Sequence, residues 1–405
     1  MQFSDIIGQQ NVKQHLIEMV QHSRLSHALL FLGKEGSGAL PLALTFAQYI
    51  SLIPSAKAVA NAGPSLFGDE PVAAPKAALP NTIQETDEWM LQQTAYSKAA
   101  TFVHPDIHFS YPVIPRKSGD KPKSTDYITE WREFIKLSPY GNAFDWLQFI
   151  GAENKQGNIT AEECNDIIRQ LNLKSFESGY KILLMWMPEY LGKEGNKLLK
   201  LIEEPPPDTL FILVAENEDQ ILPTILSRCQ LVKIPLPETA EIIEALETRT
   251  GATPEAATQI AAIAEGNYRE ALQLLQHSEE DWINLLSEWL KFTIRNMLPE
   301  QVKWVAQVSE LGREKQKQLL LYFNHLLEQS IRLKAMGDQL IMPASEKDFA
   351  QRLNKIASVS QQQVIIEELD KATYYIERNA NAKMLFHALT IKLCHIIQHK
   401  TLFLT

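Results

Sequence analysis

The rhythm of apolar and polar positions divides this chain into zones. Over residues 1–237, short apolar runs at 27–32, 107–113, 181–186, 210–215 and 231–234 alternate with stretches whose apolar residues recur at helical spacing. Strands separated by helices predict a mainly parallel sheet with helices on both faces. Residues 51–82 interrupt the pattern with Ala, Pro and Gly and predict a loop or disordered insertion, with order returning near 85–98. A second polar stretch, 115–123, predicts another exposed loop. After Pro237 only the helical period remains. Two or three short helices are expected over 238–278, broken at Gly266-Asn267, followed by long helical patterns such as 315–336 and 361–379. The expected division is therefore an α/β domain at 1–237, a small helical domain at 238–278 and a separate helical domain at 279–405.

Composition narrows the class. A chain of 405 residues is too long for one ordinary core. Its 45% hydrophobic and 22% charged residues are those of a soluble globular protein. The net charge of −10, from 39 basic and 49 acidic residues, argues against a chain that grips nucleic acid alone, because such affinity comes from neutralising phosphates. Local DNA contacts inside a larger assembly stay open. Cys164, Cys229 and Cys394 form no metal-binding or disulfide spacing. The start, MQFSDIIGQQ, has no signal-peptide pattern, and no apolar run reaches the roughly 18 residues of a membrane span. A cytoplasmic protein without a membrane segment is the expectation.

One motif is present and broken. Leu29-Leu30-Phe31-Leu32 leads into Gly33-Lys34-Glu35-Gly36-Ser37-Gly38-Ala39-Leu40 and then a helix. This is the layout of the P-loop G-x-x-x-x-G-K-[ST], in which glycines let backbone N–H groups curl round phosphate at a helix N-terminus. The motif's lysine neutralises phosphate charge and its hydroxyl holds Mg²⁺, but Ala39 and Leu40 stand in their places. Lys34 lies early in the loop, where its side chain is not expected to reach the γ-phosphate. The strand 181–186 occupies the position from which an ATPase presents an Asp for Mg²⁺ and a Glu to orient water. Here Trp186 and Met187 stand there, with only Glu189 nearby as a displaced base. Taken alone, the glycine loop reads equally as a plain strand-to-helix turn.

The ordered set of later motifs is more specific. Asn196-Lys197-Leu198-Leu199-Lys200-Leu201-Ile202-Glu203-Glu204-Pro205-Pro206, then a strand, then Ile225-Leu226-Ser227-Arg228-Cys229, is similar to the clamp-loader ATPases of the AAA+ class, in both motor and delta-prime subunits. Phe3-Ser4-Asp5-Ile6-Ile7-Gly8-Gln9 and His104-Pro105-Asp106 fit that family, and Gly266-Asn267-Tyr268-Arg269-Glu270-Ala271-Leu272 resembles its sensor 2 segment. The ordered motifs cover about 1–275; beyond them the resemblance rests on helical content and Glu377-Arg378-Asn379.

The resemblance implies an α/β AAA+ fold, a RecA-like parallel sheet with flanking helices, joined by a small helical lid and an all-α C-terminal collar that holds subunits in a ring. Motor subunits carry intact P-loops and delta-prime subunits commonly do not, which fits Gly33, Gly36 and Gly38 followed by Ala39 and Leu40, and Trp186 and Met187 at the strand end. It therefore implies a non-catalytic, delta-prime-type subunit of the DNA polymerase III clamp loader, helping to load the sliding clamp on primed DNA. No cofactor or metal is expected on this chain; ATP and Mg²⁺ belong to neighbouring motor (gamma/tau) subunits. A delta subunit is a further partner, the clamp an indirect one, and primer–template DNA is met within the assembly. The alternative is an autonomous gamma/tau-like ATPase with an atypical loop, for which residue 39 must be Lys. A hydrolase or deaminase is excluded by the absence of G-x-S-x-G and of cysteines paired with His277-Ser278-Glu279.

The family's Ser-Arg-Cys arginine maps onto Arg228. A permanently charged, forked guanidinium supplied to the next subunit's site can stabilise phosphoryl-transfer charge; the plainer reading is a surface or capping arginine. Ser227 and Cys229 are assigned to packing and loop geometry. Arg269 maps onto the sensor 2 arginine that contacts nucleotide in active relatives, and a structural salt bridge is the competing role. Glu203 and Glu204 are adjacent on a helix, do not face each other and read as structural. Relatives place a four-cysteine zinc module before His-Pro-Asp, but 51–103 contain no cysteine, and His104 and His108 read as loop and strand residues.

Overall fold

The computed structural model describes residues 1–53, 79–117, 119–152, 155–276, 282–337, 342, 344–377 and 380–399. The centre of the 51–82 segment, His277-Ser278-Glu279 and Arg378-Asn379 lie outside the described residues. The chain forms two compact units, Met1–Leu272 and Gln273–Thr405.

Five parallel strands build the sheet of the first unit: β1 (Ala28–Leu32), β2 (Ile107–Ser110), β3 (Lys181–Trp186), β4 (Thr209–Ala215) and β5 (Gln230–Lys233), in the order β2-β3-β4-β1-β5. β3 and β4 are buried along their whole length. Because side chains alternate across a strand, each apolar run splits by parity. Leu29, Phe31, Ile182, Leu184, Leu210 and Ile212 enter one core, whereas Leu30, Leu183, Met185, Phe211 and Leu213 enter the other. A sheet covered on both faces needs both halves of every run to be apolar, which is the signature of parallel α/β sheets. The parallel α/β sheet with helices on both faces that the sequence predicts is thus present.

Helices cover both faces. α1 (Gln10–Gln21), α2 (Ala39–Ser51), α3 (Ile83–Gln92), α4 (Tyr96–Ala100), α5 (Ile128–Leu137) and α6 (Ala143–Phe149) contribute to the first core; α7 (Ala161–Leu171) and α8 (Leu199–Glu203) contribute to the second. Thr82 opens α3 with a reciprocal cap: its hydroxyl accepts from Glu85 N–H while the Glu85 carboxylate accepts from Thr82 N–H. The strand expected over 107–113 ends at Ser110. Pro112 lacks an N–H for the ladder, and Val113 pairs only with Asn158 in an isolated antiparallel bridge. The short α9 (Pro223–Leu226) precedes the edge strand β5; α10 (Thr239–Thr250), α11 (Pro254–Ala264) and α12 (Tyr268–Gln276) follow it, with the expected break at Gly266-Asn267.

Every described element of the second unit beyond α12 is helical: α13 (Trp282–Ile294), α14 (Leu298–Ser309), α15 (Arg313–Met336), α16 (Ala344–Ile356), α17 (Val359–Glu377) and α18 (Ala382–His399). Trp289 and Trp304 stack at 4.5 Å between centroids, with Phe386 edge-on to both. Among the described residues no helix is long and apolar enough to cross a membrane.

Trp131 anchors the first core. It is fully buried, stacks on Tyr111 at 4.2 Å and meets Trp146 and Trp186 at 5.4 and 5.2 Å. Truncation there loses transfer energy and leaves a cavity, so Trp131→Ala is expected to cost about 3–5 kcal/mol. A urea titration followed by far-UV circular dichroism should show that loss as a lowered midpoint.

Candidate functional site

The glycine loop joins β1 to α2 at the carboxyl end of the sheet, where open α/β folds place their ligand sites. Gly36 (φ +73°) and Gly38 (φ +87°) hold left-handed backbone, as a loop curling into a helix requires. Gly36 is also a packing necessity: a Cβ there would lie 2.0 Å from Asn267 Oδ1 and 2.7 Å from Tyr268 N. At Gly33 a Cβ would meet Ser37 Oγ at 2.4 Å. Ala39 and Leu40 open α2 as buried core residues, and Lys34 is exposed at the loop's start. The cavity bordered by Gly33–Pro41, Tyr140, Trp186 and Glu216 has a volume of about 20 Å³, room for about one water molecule.

Arg269, at the start of α12, turns to the loop's own acid. Its Nη1 donates to Glu35 Oε1 at 2.9 Å, while Nε and Nη2 donate to the two oxygens of Asp145 at 2.5 and 2.6 Å. Asn267 Nδ2 donates to Glu35 Oε1 at 3.1 Å and Asn142 Nδ2 donates to Glu35 Oε2 at 2.8 Å. Asp145 in turn caps α6, accepting from Asn142 N–H. The Arg269 side chain is 4% exposed, and its carboxylate partners are about one-fifth exposed. A buried guanidinium is tolerable only with such paired, charge-assisted contacts. The sequence assigns Glu35 and Asn267 no contact with Arg269 or with each other and gives no sign of Asn142 and Asp145; the acid inside the loop is the one available signal.

At the end of β3, Trp186 and Met187 are buried, and Met187 holds φ +59°. Glu189 does not face the glycine loop as a base. Its Oε1 accepts from the N–H groups of Glu216 and Asn217 at 2.7 and 2.9 Å, tying β3 to the segment after β4, and burial pushes its carboxyl up.

The remaining candidates lie elsewhere. Asp106 accepts from Phe176, Glu177 and Ser178 N–H and so fixes the loop before β3, while His104 Nδ1 accepts from Asp106 N–H. Burial lowers the pKa of both His104 and His108. Among the described residues no group of three or more His, Cys, Asp and Glu is placed to hold a metal. Burial pushes the Cys229 thiol up to about 11, which leaves it a poor nucleophile. Arg228 follows α9 and is 31% exposed. Its Nε donates to Glu203 Oε1 at 2.7 Å, Nη2 donates to the same oxygen, and Nη1 donates to Thr224 O and Ser227 Oγ. Glu203 therefore partners an arginine, and Glu204 does not share that contact.

Removing Arg269 strands two carboxylates in a crowded, low-dielectric corner. Arg269→Ala is expected to cost about 3–5 kcal/mol in urea denaturation, and Glu35→Gln clearly less, because Asp145 still pairs with the arginine. Equal losses for the two variants would show that the Glu35 contact carries the load instead.

A family model described as "DNA polymerase III, delta subunit" matches residues 62–238. DNA polymerase III subunit gamma of Buchnera aphidicola is 28% identical over 191 residues, 45% of this chain and 51% of that protein. Subunit delta' of Haemophilus influenzae is 28% identical over 159 residues, 37% of this chain and 49% of that protein. Subunit delta' of Bacillus subtilis is 24% identical over 271 residues, 67% of this chain and 60% of that protein. The chain thus spans about half the length of the first two relatives. A gamma-subunit-related protein of Thermotoga maritima overlays 94% of this chain and 99% of its own at 14% identity, with a TM-score of 0.34 that carries no weight. These sequence matches, like the ordered motifs, are to the gamma and delta' subunits of DNA polymerase III, which are what this chain is similar to.

Proposed function

We propose that this chain is a delta-prime-type clamp-loader subunit: it turns over no ATP itself and supplies Arg228 to the nucleotide site of an adjoining motor subunit. The observation that carries the reading is the closed glycine loop. A Mg²⁺–nucleotide site needs an ammonium and a hydroxyl at the start of the helix and carboxylates at the end of the neighbouring strand. Here those positions hold Ala39, Leu40, Trp186 and Met187, and the loop's cavity of about 20 Å³ is far below the size of a nucleotide site. The sensor-like arginine is engaged by Glu35 and Asp145 rather than left for a phosphate. The residues present do not fit Mg²⁺–ATP.

In this reading the work of the chain is positional. The sheet and α9 hold Arg228 at the domain's surface, where a guanidinium can reach a phosphate on another subunit. Motor and delta subunits are the proposed partners; the clamp and primed DNA are met through the assembly. A gamma-like motor has the gamma-subunit matches behind it, but it requires a lysine where Ala39 opens α2.

Two outcomes test the proposal. The purified chain should show no Mg²⁺-dependent ATP hydrolysis above a buffer control, and Ala39→Lys should not create any, because the strand-end acids are still missing. In a complex reconstituted with motor and delta subunits, Arg228→Ala should still co-elute with its partners. It should reduce DNA- and clamp-stimulated ATPase by less than the roughly 10³–10⁵-fold of a single-site arginine finger, since other sites keep their own arginines. Arg228→Lys should rescue poorly, an ammonium having no fork. Equal ATPase for the wild-type and Arg228→Ala complexes at every nucleotide concentration would make the arginine structural.

A further inference from the structure

Arg228 does not present an open fork. A guanidinium has five N–H donors. Four of Arg228's are engaged by its own chain: Nε and one Nη2 hydrogen by Glu203 Oε1, and the two Nη1 hydrogens by Thr224 O at 2.6 Å and Ser227 Oγ at 3.2 Å. A bidentate grip on a phosphate needs two parallel donors along one edge of the guanidinium. The Nε–Nη2 edge is covered by Glu203, and the Nη1–Nη2 edge retains a single open hydrogen. Neither edge can take two phosphate oxygens while this arrangement holds.

Resting on the trans-acting role proposed for Arg228, we infer that Glu203 is a positioning residue that withholds this arginine until a stronger anion competes for it. Glu203 ends α8 and Arg228 follows α9, so two separate elements bring the pair together across 25 positions of sequence. The contacts to Thr224 and Ser227 are local to Arg228's own turn and can stay in place as a tether. The contact to Glu203 has to be surrendered for the Nε–Nη2 edge to reach phosphate. Its strength suits that exchange. The pair is 31% and 44% exposed, and exposed pairs of this kind shift an equilibrium by about two- to fivefold. A multiply charged phosphate in a closed interface outweighs that, whereas water and weak anions do not. The carboxylate therefore acts as a threshold, making a neighbouring site's hydrolysis depend on full closure.

The test uses complexes reconstituted with motor and delta subunits, each variant first checked for co-elution. Glu203→Gln keeps the size of the side chain and removes its charge. It should raise DNA-free ATPase about two- to fivefold and lower the ATP concentration for half-maximal rate, while kcat under full DNA and clamp stimulation stays unchanged. Glu203→Asp should restore part of the restraint. Glu203→Gln combined with Arg228→Ala should match Arg228→Ala alone, because without the arginine there is nothing to withhold. If Arg228→Ala lowers the stimulated rate and Glu203→Gln leaves the DNA-free rate and the half-maximal concentration unchanged, the withholding role is wrong and the trans role survives. If Glu203→Gln instead lowers the stimulated rate, Glu203 presents the arginine, and the inference is likewise overturned. No effect from Arg228→Ala removes the trans role and this inference with it.

Discussion

The buried guanidinium of Arg269 is the constraint around which the site of the first unit is organised. A charge that is 4% exposed must be matched at close range or it destabilises the fold. Two elements supply the match to the arginine on α12: the glycine loop through Glu35 and α6 through Asp145. Asn142 and Asn267 also donate to Glu35, so the loop is fastened from two directions. The end of β1 and the beginnings of α6 and α12 are thereby held by polar contacts whose geometry is set by hydrogen bonds, where a purely apolar contact could slide.

A second polar device works in the same manner at other ends of the sheet. Asp106 gathers three N–H groups from residues 176–178, and Glu189 gathers two from residues 216–217. Each carboxylate satisfies backbone donors that would otherwise be orphaned at a strand end. Glu189 looks like a reactive group in the linear sequence, yet both acids do construction work. The reactive appearance of Glu189 comes from its place near the end of β3; its partners show that it is a cap.

How much was legible in the sequence follows from the range of the interactions. Strand β3 was read to the residue and β1, β4 and β5 to within one, because burial on both faces forces an unbroken apolar run and neighbouring residues report it. The break at Gly266-Asn267 is equally local; the reciprocal cap at Thr82 and Glu85 is local too but was not singled out in the sequence. β2 was overrun by three residues because Tyr111 and Val113 are apolar enough to extend the pattern, while Pro112 removes the donor that a ladder needs. The site was half legible. The missing lysine, hydroxyl and acids could be read off position by position, and a salt bridge was one of two roles open to Arg269. Its partners could not be read: Glu35 lies 234 positions away and Asp145 lies 124. The pairing of Glu203 with Arg228 is hidden for the same reason, since the two acids of Glu203-Glu204 are indistinguishable until α9 is placed beside one of them.

Gly36 carries a consequence for how such chains drift through time. A β-carbon at this position collides with Asn267 and the backbone of Tyr268 whether or not a phosphate ever enters the loop. Selection for a folded chain therefore suffices to retain the glycine. The lysine and hydroxyl of the motif have no comparable steric duty, and they are free to be lost. The spelling of the glycines in such a loop therefore reports packing, and the residue after the last glycine is the informative letter for nucleotide chemistry.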